Sequence, residues 1–109
     1  MANDFKVVTD TAVGTSPATI YTCPSATQTT VIGLTVANIV TSQILISVQL
    51  ENNDGDNTYL IKNAPVPVGS AIVPVGSAQK VVLEASDIIK VSSDTASSAD
   101  VTLSILEIT

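Results

Sequence analysis

The sequence predicts an all-β protein, an antiparallel β-sandwich or jelly-roll of about eight or nine short strands. Three observations carry that prediction. Val, Ile and Thr dominate the chain, and branching at Cβ restricts χ1 and suits a pleated strand. Apolar residues recur with a period of two rather than 3.6. Turn-forming clusters of Gly, Pro, Asn, Asp and Ser punctuate the chain at short intervals.

The elements follow in order. Phe5 to Asp10 reads as a first strand, and the turn Val13-Gly14-Thr15-Ser16-Pro17 separates it from Ala18 to Thr22. Cys23-Pro24-Ser25-Ala26-Thr27 closes the second. Ile32, Leu34 and Val36 form an apolar face opposite Gly33, Thr35 and Ala37. Gln43 to Glu51 sets Ile44, Ile46, Val48 and Leu50 against Gln43, Ser47, Gln49 and Glu51, with Leu45 breaking the alternation. Asn52 to Asn57 divides this strand from Thr58 to Lys62. Ala85-Ser86-Asp87 reads as a tight turn joining Val81–Glu84 to Ile88–Ser92, and Ser93 to Asp100 leads into a last strand with Val101, Leu103 and Ile105 on one face. An open barrel is the minor alternative to the sandwich.

A chain of 109 residues is expected to form one domain, residues 1–109. Its charge balance narrows the functions available. There are 10 acids, four lysines (Lys6, Lys62, Lys80 and Lys90), no arginine and no histidine, for a net charge of −6. That balance argues against a partner built of phosphates, so no nucleic-acid role is expected. The opening Met1 to Lys6 lacks the basic start and apolar run of a signal peptide. The most apolar stretch, Val31 to Val40, is interrupted by Thr35 and Asn38, so a soluble, cytoplasmically made protein with no membrane segment is expected.

Enzymatic chemistry is not expected. A serine nucleophile needs a base, and only lysines could serve; the single Ser-x-x-Lys spacing runs from Ser77 to Lys80. Asp87, Asp94 and Asp100 could pair as general acid and base, but each sits beside a turn and nothing places two on one face. The loop Asn52 to Asn57 holds Asp54 and Asp56, yet its spacing fails the EF-hand pattern, and Asn and Asp are ordinary turn residues. Whether that loop takes an ion stays open; no metal or other cofactor is predicted. Cys23, with no basic neighbour, reads as a small buried residue rather than a reactive thiol. Three aromatics (Phe5, Tyr21, Tyr59) make no stacking platform, and the tyrosines suit core or rim positions.

What remains is a surplus of apolar side chains. Leu45, Val81-Val82-Leu83, Ile88-Ile89 and Ile105-Leu106 with Ile108 make several strands apolar on both faces. The segment Pro67-Val68-Gly69-Ser70-Ala71 recurs as Pro74-Val75-Gly76-Ser77-Ala78, and prolines at 65, 67 and 74 assign this stretch to an edge strand or packed loop. Two readings stand side by side. In one, the prolines blunt an edge against aggregation; in the other, the stretch is an extended arm that lies on a neighbouring subunit. The candidate interface residues are Leu45, Pro65, Val66, Pro67, Val68, Ile72, Val73, Leu106 and Ile108, and a homo-oligomer, trimer or dimer, is expected.

The runs Lys62-Asn63-Ala64-Pro65-Val66-Pro67-Val68-Gly69-Ser70, Lys80 to Val91 and Asp100 to Ile108, with the Val13-Gly14-Thr15 turn and Ile20-Tyr21-Thr22, resemble small virion structural proteins of tailed bacteriophages. The resemblance spans nearly the whole chain and carries no catalytic residues. It implies a virion location and a capsid cement or decoration role, with other virion proteins, above all the major capsid protein, as partners. A neck, tail or fibre component is the first alternative, and a secreted carbohydrate-binding sandwich the second. At Ser86 the resemblance leads one to expect glycine in a hairpin turn.

Overall fold

The computed structural model describes residues 3–76 and 80–109 of the chain. Nine strands are present among the described residues: β1 (Asn3–Val13), β2 (Ala18–Thr22), β3 (Gln28–Asn38), β4 (Ile44–Glu51), β5 (Asn57–Val66), β6 (Ala71–Val75), β7 (Val81–Leu83), β8 (Ile88–Ser93) and β9 (Ala99–Ile108). They form two antiparallel sheets. One runs β1-β9-β3-β6, with β7 also paired to β3; the other runs β2-β8-β4-β5.

Because β6 and β7 share one edge of β3, there are eight strand positions. The pairs β1·β9, β2·β8, β3·β6/β7 and β4·β5 are the rungs of one long hairpin whose tip is the Asn52–Asp56 loop. Rolling that hairpin across two sheets produces a jelly roll, the sandwich the sequence predicts. Val31, Leu34, Val36, Ile44, Ile46, Val48, Ile89, Val91, Leu103 and Ile105 fill the space between the sheets with no exposure. Among the described residues, no helix is long and apolar enough to cross a membrane.

Two expectations are corrected. Ile32 does not share the inner face with Leu34 and Val36. Val31 pairs with Ile105 and Gly33 with Ser104, so Ile32 is the extra residue of a β-bulge. The bulge shifts the alternation by one, burying Val31 and leaving Ile32 half-exposed. The Ala85–Asp87 turn is likewise no hairpin, since β7 belongs to one sheet and β8 to the other. The Asp87 N–H donates to the Glu84 carbonyl at 3.0 Å, and Ser86, third in this turn, has φ 73°. A left-handed residue there is what glycine would supply most readily, so the conformation that glycine was expected to serve is present with serine in its place.

The edges carry the prolines. Pro65 lies in β5, at one edge of its sheet, and Pro74 in β6, at an edge of the other; Pro67 opens the turn between them. The first copy of the short repeat is this turn, where the Ser70 N–H donates to the Pro67 carbonyl and Gly69 has φ 74°. The second copy runs out of β6, and its Ser77 and Ala78 lie outside the described residues.

Candidate functional site

The carboxylates that might have done chemistry hold backbone instead. Asp87 is buried and accepts N–H bonds from Asn53 (3.1 Å) and Glu84 (2.9 Å), tying the β4–β5 loop to the β7–β8 turn. Asp94 accepts from the Leu45 N–H (2.9 Å), and Asp100 from the Ala12 N–H (3.0 Å) and the Thr11 hydroxyl (2.8 Å). In the Asn52–Asn57 loop, the Asn52 side chain accepts from the Asp54 N–H at 2.8 Å and Gly55 takes φ 89°, the local bonding of an ordinary turn. Among the described residues, no three Cys, Asp or Glu side chains converge as metal ligands.

A polar network clamps the two sheets at the end where β2 meets β3. Glu107 of β9 is 5% exposed. Its Oε1 meets Lys6 Nζ from β1 at 2.8 Å, and its Oε2 accepts from the Tyr21 hydroxyl of β2 at 2.6 Å. That hydroxyl also bonds Thr29 Oγ1 (2.9 Å), which in turn lies 3.3 Å from Cys23 Sγ. Lys6, bonded to the carboxylate, holds Glu107 below the usual carboxylate range, aided by Tyr21; the same bond raises Lys6. Burial, with Glu107 beside it, pushes the Tyr21 phenol up. Cys23 is 1% exposed and also bonds the Thr27 carbonyl at 3.4 Å. The network binds sheet to sheet with every member partnered.

This clamp explains an arrangement that period-two reading misses. Asp4, Lys6, Val8 and Asp10 lie on the inner side of β1, across from Glu107, Ile105, Leu103 and Val101. Phe5 and Val7, which look like the core face of β1, therefore point outward and are 76% and 65% exposed. A charge turns inward because a buried carboxylate waits for it.

Two exposed apolar surfaces stand out among the described residues. The first is a corner beside the β5–β6 turn. Leu45 and Pro65 face each other across β4 and β5 on the outer side of their sheet. Pro67 is exposed, and Val68 and Val73 stand out at 55% and 60%. Ile39 (47%) sits at the same end, since the neighbouring Asn38 N–H donates to the Ser70 carbonyl and the Asn38 side-chain amide to the Val66 carbonyl. Of the candidate residues here, Val66 is fully enclosed and Ile72 is half-buried. Val66 has no exposure because the strand alternation turns it into the core between Pro65 and Pro67, and Ile72, aligned with buried Val36, packs against that core.

The second surface is the outer face of the β1-β9-β3 sheet. The registers align Phe5 with Leu106, Leu106 with Thr30, and Thr30 with Val82, a single row that crosses the sheet. Ile108 and Val7 flank the row on either side. Leu106 and Ile108 were legible as interface candidates; Phe5, Val7 and Val82 were not assigned there.

No family model and no curated protein matches the chain. Solved structures do. A chain of the disulfide-linked pili of Bacillus endospore appendages superposes with a TM-score of 0.59 at 14% identity, covering 99% of this chain and 87% of that one. A chain from the acid-stable capsid of Helicobacter pylori bacteriophage KHP30 superposes with a TM-score of 0.52 at 12% identity, covering 98% and 87%. At such identities the likeness is one of fold.

Proposed function

We propose that this protein is a structural subunit of a virion, most specifically a cement or decoration protein that binds across capsomers of a phage head. The observation that carries the reading is the apolar corner at Leu45, Pro65, Pro67, Val68 and Val73, presented at a sheet edge stiffened by proline. Restricted prolines lose little freedom on docking, so burial of such a surface, at ~25 cal/mol per Å², is offset by less ordering entropy. Asp87, Asp94 and Asp100 are occupied in holding loops, which fits a protein that works by adhesion. Both similar folds come from extracellular protein assemblies, which supports a virion or extracellular location.

A fibre-associated component is the second reading, favoured by the pilus-chain fold and by the presence of more than one apolar surface, which head-to-tail growth requires.

Particles purified from the source of the gene and stripped of the chain provide the test. Wild-type protein should re-bind and co-sediment with a saturable stoichiometry, and Val68→Asp and Val73→Asp should each lose binding at least tenfold. Unchanged binding by both variants would remove the corner from the account, and self-assembly into filaments without particle binding would favour the fibre.

A further inference from the structure

The outer face of the β1-β9-β3 sheet adjoins the proline-bearing corner only along β6, where Val73 lies across from Thr35. Residues that point outward there are Asn3, Phe5, Val7 and Thr9 from β1, Thr102, Ser104, Leu106 and Ile108 from β9, Gln28, Thr30 and Thr35 from β3, and Val82 from β7. None of them is charged. The nearest carboxylates, Asp100 and Glu84, stand at its two ends. On a chain of net charge −6, an uncharged face of this extent is where two like-charged copies can approach without setting carboxylate against carboxylate.

Its size is suitable. Three strand positions spaced by about 4.8 Å, along ten residues rising about 3.4 Å each, with the three residues of β7 beside them, make a face of roughly 540 Å². Stable interfaces bury about 800 Å² of accessible surface per partner, which side chains standing up from such a plane supply. The row Phe5–Leu106–Thr30–Val82 places its most exposed members, Phe5 (76%) and Val82 (62%), at the two edges, with the smaller Thr30 and half-buried Leu106 between.

We infer that this face is a self-association surface, and that its occupant is the same face of a second copy of this chain, related by a two-fold axis lying in the interface plane. Such an axis lays one row on the other, sheet on sheet, as in the aligned packing inside a sandwich. Phe5 is the aromatic anchor at one edge of the contact, and the clamp of Lys6 on Glu107 fixes its orientation by holding the intervening side chain inward. The inference deepens the structural-subunit reading by naming a partner, but uses residues separate from the corner proposed to meet the particle.

Sedimentation equilibrium of the purified full chain tests it. Wild type should run at twice the chain mass and dissociate on dilution. Phe5→Glu and Val82→Glu should each weaken association at least tenfold, with unchanged circular dichroism, since both positions face outward. Val68→Asp should remain dimeric. A wild type that stays monomeric at the highest attainable concentration would overturn the inference, as would dimers that survive both glutamate substitutions. Dimers that fail to bind particles would count against the cement role alone; loss of dimerisation in Val68→Asp but not in Phe5→Glu would move the interface to the corner and refute the face.

Discussion

Removing one hydroxyl from the sheet-to-sheet clamp should cost more stability than any other change of a single oxygen in this protein. Tyr21→Phe deletes the donor that sits 2.6 Å from Glu107 Oε2 and also bonds Thr29 at 2.9 Å. Glu107 is 5% exposed, so the abandoned oxygen has little access to water as a substitute. Leaving a buried charged acceptor short of a partner costs on the order of 2 kcal/mol. For a domain of this length that is about 8 °C in Tm, at roughly 4 °C per kcal/mol.

The cost should depend on pH, and its sign is fixed. Glu107 is held below the ordinary carboxylate value of 4.5, so its bonds stabilise the fold fully above that value and are lost as pH falls through the lowered one. Lys6 is raised above 10.5, so its share persists below that value and fades as pH rises past it. Thermal melts of wild type and Tyr21→Phe at about pH 7 and about pH 2 should therefore show the gap shrinking by about half once Glu107 is neutral, because charge-assisted bonds are roughly twice as strong as neutral ones. A gap below about 2 °C at neutral pH, or one that does not change with pH, would refute the reasoning.

Three further outcomes are expected. Ser86→Gly should raise stability by about 0.5–1 kcal/mol in urea melts, because φ 73° burdens serine and not glycine; a loss would mean the serine side chain is needed there. Leu103→Ala, at a fully buried position at the centre of β9, should cost about 2–5 kcal/mol by the same assay, and a cost under 1 kcal/mol would mean that the sheets are not closely packed there. Cys23, 1% exposed, should resist a thiol reagent in native buffer and react at once in denaturant; equal rates in both would place the thiol at the surface.

Much of the sandwich was legible because β4 shows the pleat plainly: Ile44, Ile46 and Val48 are all buried as their alternation predicts. Sequence reading failed where a local pattern has two solutions that only a distant strand can choose between. The bulge at Ile32 follows from pairing with β9, and an apolar run such as Val31-Ile32 does not reveal which of its residues is the extra one. On β1, Phe5 and Val7 alternate with Lys6 and Val8, and apolar residues are read as core by default. Glu107, 101 positions away in sequence terms from Lys6, reverses that choice. The corner was found because proline marks edges whatever lies opposite, whereas Val66 and Ile72 within it could not be separated from their exposed neighbours without knowing the register.

Side-chain footprinting with hydroxyl radicals, comparing the free chain with the chain in native particles, tests the central claim most directly. The account predicts that Leu45, Pro65, Val68 and Val73 lose reactivity in the particle while Tyr59 on the exposed part of β5 keeps it. Equal labelling of the corner in both states would contradict it.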